Sequence, residues 1–369
     1  MYYSCGKAES QRGRNVFTCT QGVPSDMLNR SIWALVTFMM VSGCSKYYQG
    51  ENSDHFNGTH FFNPGKPLDK GLGTFLKWRL TADKQPWPEY THPPAYDTPP
   101  ARVDGKDLRV SYVGHATVLI QTRGLNILTD PVLSDRASPV QWAGPRRVHP
   151  PGIKMENLPD IDVILISHNH YDHLDLPALQ KLWQRNKPRI IVPLGNDIIV
   201  TGYDASIEVE ARDWGEEVQL AEGVAVHLDP MQHWSARGLF DRNRSLWAAF
   251  TITSPDGNIY FAGDTGYGNG DYFRAAREKY RSFRLAILPI GAYEPRWFMA
   301  YGHMNPEECV HSFEDLGGPL VLQIHHRVFQ LADTGYHQPL EMLEAALDGN
   351  KKAQARFLTL MVGEGRYIP

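Results

Sequence analysis

The sequence predicts an α/β fold in which two β-sheets pack face to face and helices cover the outside. Three observations predict it. Short apolar runs rich in β-branched residues recur from Leu108 onward. They arrive in groups with helical segments interspersed, rather than in the strict alternation of a doubly wound parallel sheet. Several of them end abruptly in a polar residue able to hold a metal ion. At 369 residues the chain can bury a large core, as one big α/β domain or as two smaller ones.

The chain divides into three parts. Residues 1–44 read as an N-terminal extension plus a signal segment. Within them Met27 to Cys44 (M-L-N-R-S-I-W-A-L-V-T-F-M-M-V-S-G-C) places Arg30 before an apolar run from Ile32 to Val41. The run is too short to span a bilayer, which takes roughly 20 apolar residues, and has the length of a secretory h-region. Val41-Ser42-Gly43-Cys44 resembles a bacterial lipobox, which implies a lipidated Cys44, with Met27 as the true start. Ser45 after it favours the outer membrane, facing the periplasm; a buried helix of the fold is the competing reading. Residues 45–105 form an extended Pro- and aromatic-rich segment packing on the domain, with one short amphipathic helix over Gly73–Leu80. The catalytic domain is expected over residues 106–369.

In that domain Leu108–Gln121 is strand-like and broken at Gly114-His115. Leu125–Leu128, Ile190–Pro193, Val224–Leu228, Leu285–Ile290 and Leu320–Ile324 read as further strands. Trp247–Phe261 reads as a hairpin across Ser254-Pro255-Asp256-Gly257. Helices are expected over Leu176–Arg185, Tyr272–Tyr280, Pro306–Leu316 and Pro339–Leu347.

The most informative stretch is Val163 to Asp175, V-I-L-I-S-H-N-H-Y-D-H-L-D. Four apolar residues predict a buried strand, and His168, His170, Asp172 and His173 follow within six positions. A strand held in a sheet and ending in a tight loop fans such side chains around a small volume. Asp175 as cap and Pro177 then start a helix whose apolar face is Leu176, Leu179 and Leu182. Neutral imidazole and carboxylate are the ligands of zinc and its neighbours, so this is read as a metal site. His233, Asp264 and His325 each stand just after a predicted strand. Alone, each is an ordinary structural residue; with the first cluster they complete a two-metal set.

H-N-H-Y-D-H followed by His233, Asp264 and His325 resembles the metallo-β-lactamase superfamily, whose fold is an αββα sandwich. The resemblance implies that His168, His170 and His233 hold one zinc ion and that Asp172, His173 and His325 hold a second. Asp264 bridges the two, and Asp130 in L-T-D-P orients ligands instead of binding metal. G-H-A-T-V, S-D-R-A-S-P, F-A-G-D-T-G-Y and above all G-A-Y-E-P-R-W-F-M (Gly291–Met299) resemble the family of N-acyl-phosphatidylethanolamine-hydrolysing phospholipases D. That similarity runs from Phe62 to the terminal G-E-G-R-Y. It implies a zinc-dependent phosphodiesterase that releases N-acylethanolamine and phosphatidic acid, with Asp172, Asp264 and His303 as catalytic residues. Tyr293, Trp297 and Phe298 are candidates for an apolar substrate groove, with core packing the competing role for at least one of them. The chain departs from the family at His326-Arg327, where the family has Trp-Gly, and at Asn305, where it has aspartate.

Composition and charge exclude some classes. A net charge of −4 without a long basic run gives no footprint for nucleic acid. Cys5, Cys19, Cys44 and Cys309 have no paired spacing, so neither a disulfide framework nor a zinc ribbon is indicated. No G-x-S-x-G elbow is present, so a serine nucleophile is not expected. A phospholipid substrate and a membrane held through Cys44 are the expected partners, and a homo-oligomer remains open. The rival readings are a hydrolase of a lactone, β-lactam or soluble phosphodiester on the same metals, and an envelope scaffold lipoprotein with a structural metal.

Overall fold

The computed structural model describes residues 47–66, 71–93, 95–358 and 360–369. The N-terminal extension, the signal-like segment and Cys44 lie outside the described residues. Among the described residues no helix is long and apolar enough to cross a membrane.

A helix, α1 (Leu72–Thr81), precedes the first strands, β1 (Leu108–Gly114), β2 (Thr117–Thr122) and β3 (Leu125–Thr129). These three form an antiparallel meander. The β2–β3 turn is a two-residue loop with Arg123 at φ 50° and Gly124 at φ 76°, the left-handed pair whose twist matches the flanking strands. Next come β4 (Val163–Leu165), α2 (Leu176–Asn186), β5 (Arg189–Pro193), α3 (Asn196–Tyr203) and β6 (Glu210–Arg212). Strands β4 to β6 join the meander in parallel.

The second half repeats the scheme. Strands β7 (Glu217–Ala221), β8 (Val224–Asp229), β9 (Ala249–Thr253) and β10 (Asn258–Phe261) are antiparallel neighbours. After α4 (Asp271–Tyr280) follow β11 (Phe283–Pro289), α5 (Arg296–Met299), α6 (Pro306–Asp315), β12 (Leu320–Ile324), α7 (Gln338–Leu347), α8 (Lys351–Gln354) and β13 (Phe357–Leu358). Strands β11 to β13 add in parallel. The last strand, β14 (Gly365–Ile368), returns to pair with β1. The result is two seven-stranded mixed sheets, ordered β14-β1-β2-β3-β4-β5-β6 and β13-β12-β11-β10-β9-β8-β7.

Side-chain alternation builds three apolar layers from these sheets. Val118, Ile120, Val163 and Leu165 face Phe250, Phe261, Leu285, Ile287 and Leu322 between the sheets. The opposite faces carry Leu119, Ile164 and Ile166 toward Leu179 and Leu182 of α2. On the other sheet Ala286, Leu288 and Val321 meet Phe273 of α4, Phe313 of α6 and Leu343 of α7. Helix–sheet–sheet–helix layering is thus the αββα sandwich the sequence predicts.

The predicted helices and strands are present with small shifts at their ends; the hairpin's first strand starts at Ala249, since Trp247 and Ala248 approach it as irregular chain. Unforeseen are α3, α5, α8, β6, β7, β13 and β14. Most of these are short, or sit at a sheet edge with little to bury: in β7 only Val218 is covered, and in β14 only Ile368.

The described part of 45–105 is tied to the sandwich at several points. Phe56 and Phe61 sit in the apolar layer against α4 and α6. Trp87 Nε1 donates to Thr334 O at 2.8 Å, and Asp97 pairs with Arg109 at 2.6 Å.

Candidate metal centre

Each residue expected to hold metal, and Asp130 beside them, leaves the end of a strand on one rim of the sandwich. Asp130 follows β3, His168 to His173 follow β4, His233 follows β8, Asp264 follows β10 and His325 follows β12. The loop after β4 is set by Asp175, whose Oδ1 accepts from Ala178 N at 3.1 Å and caps α2. Its Oδ2 accepts from Leu133 N and Ser134 N at 2.9 and 2.8 Å, binding the loop after β3 to the same point. Arg237 donates to Asn169 O and Leu174 O and lies over the Tyr171 ring, clamping the loop from the far side.

Two knots of donor atoms result. In the first, His170 Nδ1 lies 2.8 Å from His168 Nε2 and 3.2 Å from His233 Nε2. In the second, Asp264 Oδ2 lies 3.0 Å from His173 Nε2 and 2.9 Å from His325 Nε2. Asp172 Oδ2 lies 3.2 Å from the same His325 nitrogen. His168, His173 and Asp264 also form a group of their own, so Asp264 connects the knots. His303 stands at the open side, with Nδ1 3.8 Å from Asp264 Oδ2 and 15% of its side chain exposed.

Outer hydrogen bonds fix which nitrogen each imidazole turns inward. Asp130 Oδ2 meets His173 Nδ1 at 2.6 Å and takes Ser167 Oγ at 2.6 Å, while Oδ1 accepts from Ser167 N at 2.7 Å. His233 Nδ1 meets Gly302 O at 3.0 Å, and His168 Nδ1 meets Ser167 Oγ at 2.9 Å. The Nε2 atoms of all three therefore face the centre.

Burial lowers His168 and His233 well below the ordinary imidazole range and brings His170 to about 4. For His325 burial also acts downward, but Asp264 and Asp172 outweigh it and raise the group to about 9. His173 rises for the same reason against its own burial. The two carboxylates thus demand positive charge in one half of the centre, and the other half offers neutral imidazoles. Asp264 Oδ1 and His170 Nε2 are buried with no hydrogen-bond partner in the protein. Divalent metal ions satisfy the charge demand, the neutral imidazoles and the orphaned Asp264 oxygen, so the residues fit the group the sequence implies; His170 Nε2, on the far side of its ring from the knot, stays outside that account.

The backbone is strained where it serves the centre. Asp130 at φ 32° and His325 at φ 65° are held in the left-handed region that few non-glycine residues adopt. Gly291, first residue of G-A-Y-E-P-R-W-F-M, passes so close to His325 that a Cβ there would sit 1.8 Å from the His325 carbonyl oxygen. The motif is therefore glycine-led for a steric reason.

Of the expected groove residues, Tyr293 is placed elsewhere: it is wholly buried, with its hydroxyl 2.9 Å from Met342 Sδ on α7. Buried there with its hydroxyl against α7, it presents no surface to a groove. Trp297 is 50% exposed beside Lys77, and Phe298 stacks on Trp78 of α1 at 4.9 Å. Sequence reasoning missed His115, whose Nε2 reaches Asp172 Oδ2 at 2.9 Å. It also missed Trp234, edge-on to His170 at 4.4 Å. The signal for His115 was the break of the first strand at Gly114-His115; Trp234 follows His233 directly.

Residues 125–326 match the profile of the β-lactamase superfamily domain. The chain is 38% identical over 270 residues to N-acyl-phosphatidylethanolamine-hydrolyzing phospholipase D 1 of Caenorhabditis elegans, covering 70% of this chain and 75% of the worm protein. It is 38% identical over 108 residues to the outer membrane protein RomA of Klebsiella pneumoniae, covering 29% of this chain and 78% of RomA. Among solved structures, Igni18, a metallo hydrolase of the archaeon Ignicoccus hospitalis, superposes with a TM-score of 0.53 at 20% identity, covering 71% of this chain and 99% of Igni18. That likeness carries the fold. The chain is a metallo-hydrolase of the β-lactamase superfamily and belongs to the family that includes the worm phospholipase D.

Proposed function

We propose that the protein is a two-zinc phosphodiesterase that cleaves N-acyl-phosphatidylethanolamine-like phospholipids on the head-group side, giving N-acylethanolamine and phosphatidic acid. The observation that carries this reading is the convergence of His168, His170, His233, Asp172, His173, His325 and Asp264 into two joined knots of donor atoms. The relationship to the worm phospholipase D supplies the substrate class. A pair of divalent ions held there supplies Lewis acidity toward phosphate oxygens and lowers the pKa of water toward neutrality.

The protein's own contribution is position and proton control. Asp264 fixes the spacing of the two halves, and Asp172 adds a second carboxylate to the half that carries His173 and His325. Asp130 holds His173 with Nε2 turned inward. The position of His303 on the open side, 3.8 Å from Asp264, supports a role in orienting the phosphate or protonating the departing ethanolamine oxygen, with a purely structural role as the alternative. Trp297 and Phe298 contribute apolar surface beside α1. Residues 1–44 deliver the chain to the outer membrane through a lipidated Cys44, and the likeness to RomA supports an envelope location.

The test is incubation of zinc-loaded protein with N-acyl-phosphatidylethanolamine in mixed micelles, with products read by mass spectrometry. Release of N-acylethanolamine by the wild type and not by Asp264→Asn is expected. Turnover of a soluble phosphodiester or a lactone without N-acylethanolamine would retain the hydrolase and discard the lipid. Recovery of mature protein carrying an unmodified residue 1–44 segment would refute the lipid anchor.

A further inference from the structure

His115 lies in the β1–β2 turn, far in sequence from the other donors, yet its side chain is 2% exposed and ends at the centre. Its Nε2 is 2.9 Å from Asp172 Oδ2. Its ring lies 4.0 Å from that of His325, 5.4 Å from that of His173, and edge-on to Phe329 at 5.2 Å. The main chain is held as firmly as the side chain: φ is 59°, and the His115 carbonyl accepts from His325 N at 2.8 Å and from Tyr112 Oη at 3.2 Å.

We propose that His115 is a positioning residue for Asp172, donating its Nε2–H to the carboxylate and so setting the affinity of the metal held by Asp172, His173 and His325. The inference rests on the two-metal reading. The tautomer follows from what the other nitrogen touches. His115 Nδ1 is buried with no hydrogen-bond partner in the protein. A buried N–H left unpaired costs the full desolvation of a donor, so the proton belongs on Nε2, where an acceptor waits. A nitrogen carrying its proton cannot also ligate a metal; His115 therefore acts through Asp172.

The arrangement mirrors the one beneath His173. There a carboxylate, Asp130, accepts from a ligand imidazole; here an imidazole donates to a ligand carboxylate. Both outer partners serve the half of the centre made by Asp172, His173 and His325. The half made by His168, His170 and His233 leans on Gly302 and on Ser167, which Asp130 also holds, and neither of these is a hydrogen-bond partner of His115. The structure therefore assigns His115 to one metal and not to the other.

The experiment compares wild type, His115→Leu and His115→Gln, each stripped with a chelator and titrated with zinc against a chromophoric competitor. Metal per chain is counted after dialysis, and near-UV circular dichroism checks the fold. Because the backbone bonds of His115 do not depend on its side chain, the β1–β2 turn is expected to survive in both variants. Wild type should bind two ions. His115→Leu should leave the affinity of the His168 half unchanged and lose about 10–100-fold in affinity for the other ion. His115→Gln, which restores an N–H at similar reach, should recover most of that loss. Two unchanged affinities in a folded His115→Leu protein, or equal weakening of both ions, would overturn the assignment while leaving the metal centre intact. Fewer than two ions on the wild type would instead remove the two-metal reading, and this inference with it.

Discussion

Replacing Asp130 by asparagine tests how the centre is held, because the change keeps shape and removes only charge and one acceptor. Three donors point at this carboxylate: Ser167 N at 2.7 Å, Ser167 Oγ at 2.6 Å and His173 Nδ1 at 2.6 Å. An amide offers one oxygen where two are needed. If the oxygen stays with Ser167 N, the new NH2 faces His173 Nδ1, and the imidazole relaxes by moving its proton to Nε2. That nitrogen faces Asp264 and must be bare to hold a metal. The lost bond is a buried, charge-assisted one, worth about 1.5–3 kcal/mol, or about 10–160-fold in affinity for the ion of the His173 half. Chelator competition measures the affinity, and nitrogen chemical shifts of the His173 ring report its tautomer. Wild-type affinity in Asp130→Asn together with an unchanged tautomer would refute the argument that Asp130 governs this imidazole.

Other expectations follow from the same geometry. Asp264→Asn should lower phosphodiesterase turnover by about a thousandfold or more, since several kcal/mol of charge stabilisation depends on the joined knots; a residual rate near wild type in an initial-velocity assay would contradict the bridging role. Leu182→Ala removes a wholly buried side chain of α2 and should cost about 2–5 kcal/mol in urea unfolding with metal content unchanged. Stripping the ions should lower the melting temperature, because an ion at about a hundred times its Kd adds about 2.7 kcal/mol to the folded state; an unchanged transition in calorimetry would argue against bound metal. His55 lies between Asp54 and Asp213, at 2.6 and 2.7 Å, and although its burial acts downward the carboxylates raise it above the ordinary range. Its contribution is therefore complete below about pH 6.5 and fades as pH climbs through the raised folded value. Asp213→Asn should flatten that alkaline loss in denaturation midpoints taken across pH.

Much of the centre was legible because its chemistry is local. His168, His170, Asp172 and His173 share one loop, and Asp175 and Pro177 announce the helix that fixes it. His233, Asp264 and His325 could be read because each stands shortly after an apolar, strand-like run. His115 could not, since its role depends on how the β1–β2 turn folds over a loop more than fifty residues away. Which of Tyr293, Trp297 and Phe298 belongs to the core was illegible for a different reason. An aromatic ring with a hydroxyl suits a groove and a core equally, and only the position of Met342 on α7 decides between them. The edge strands β6, β7 and β14 escaped notice because they bury almost nothing, and burial is what writes a strand into a sequence. The sheet order left no local trace at all.

Neither sheet owns a finished site. The first contributes His168, His170, Asp172 and His173 from the end of β4; the second contributes His233, Asp264 and His325 from β8, β10 and β12. A chain growing from its N-terminus acquires four donors early, but His325 arrives only once Leu320–Ile324 has taken its place beside β11. Until then the early histidines have no partners across the sandwich, and a truncated product carries an incomplete donor set. The centre thereby doubles as a certificate of maturity: its full set of donor atoms exists only when both halves of the polypeptide have met.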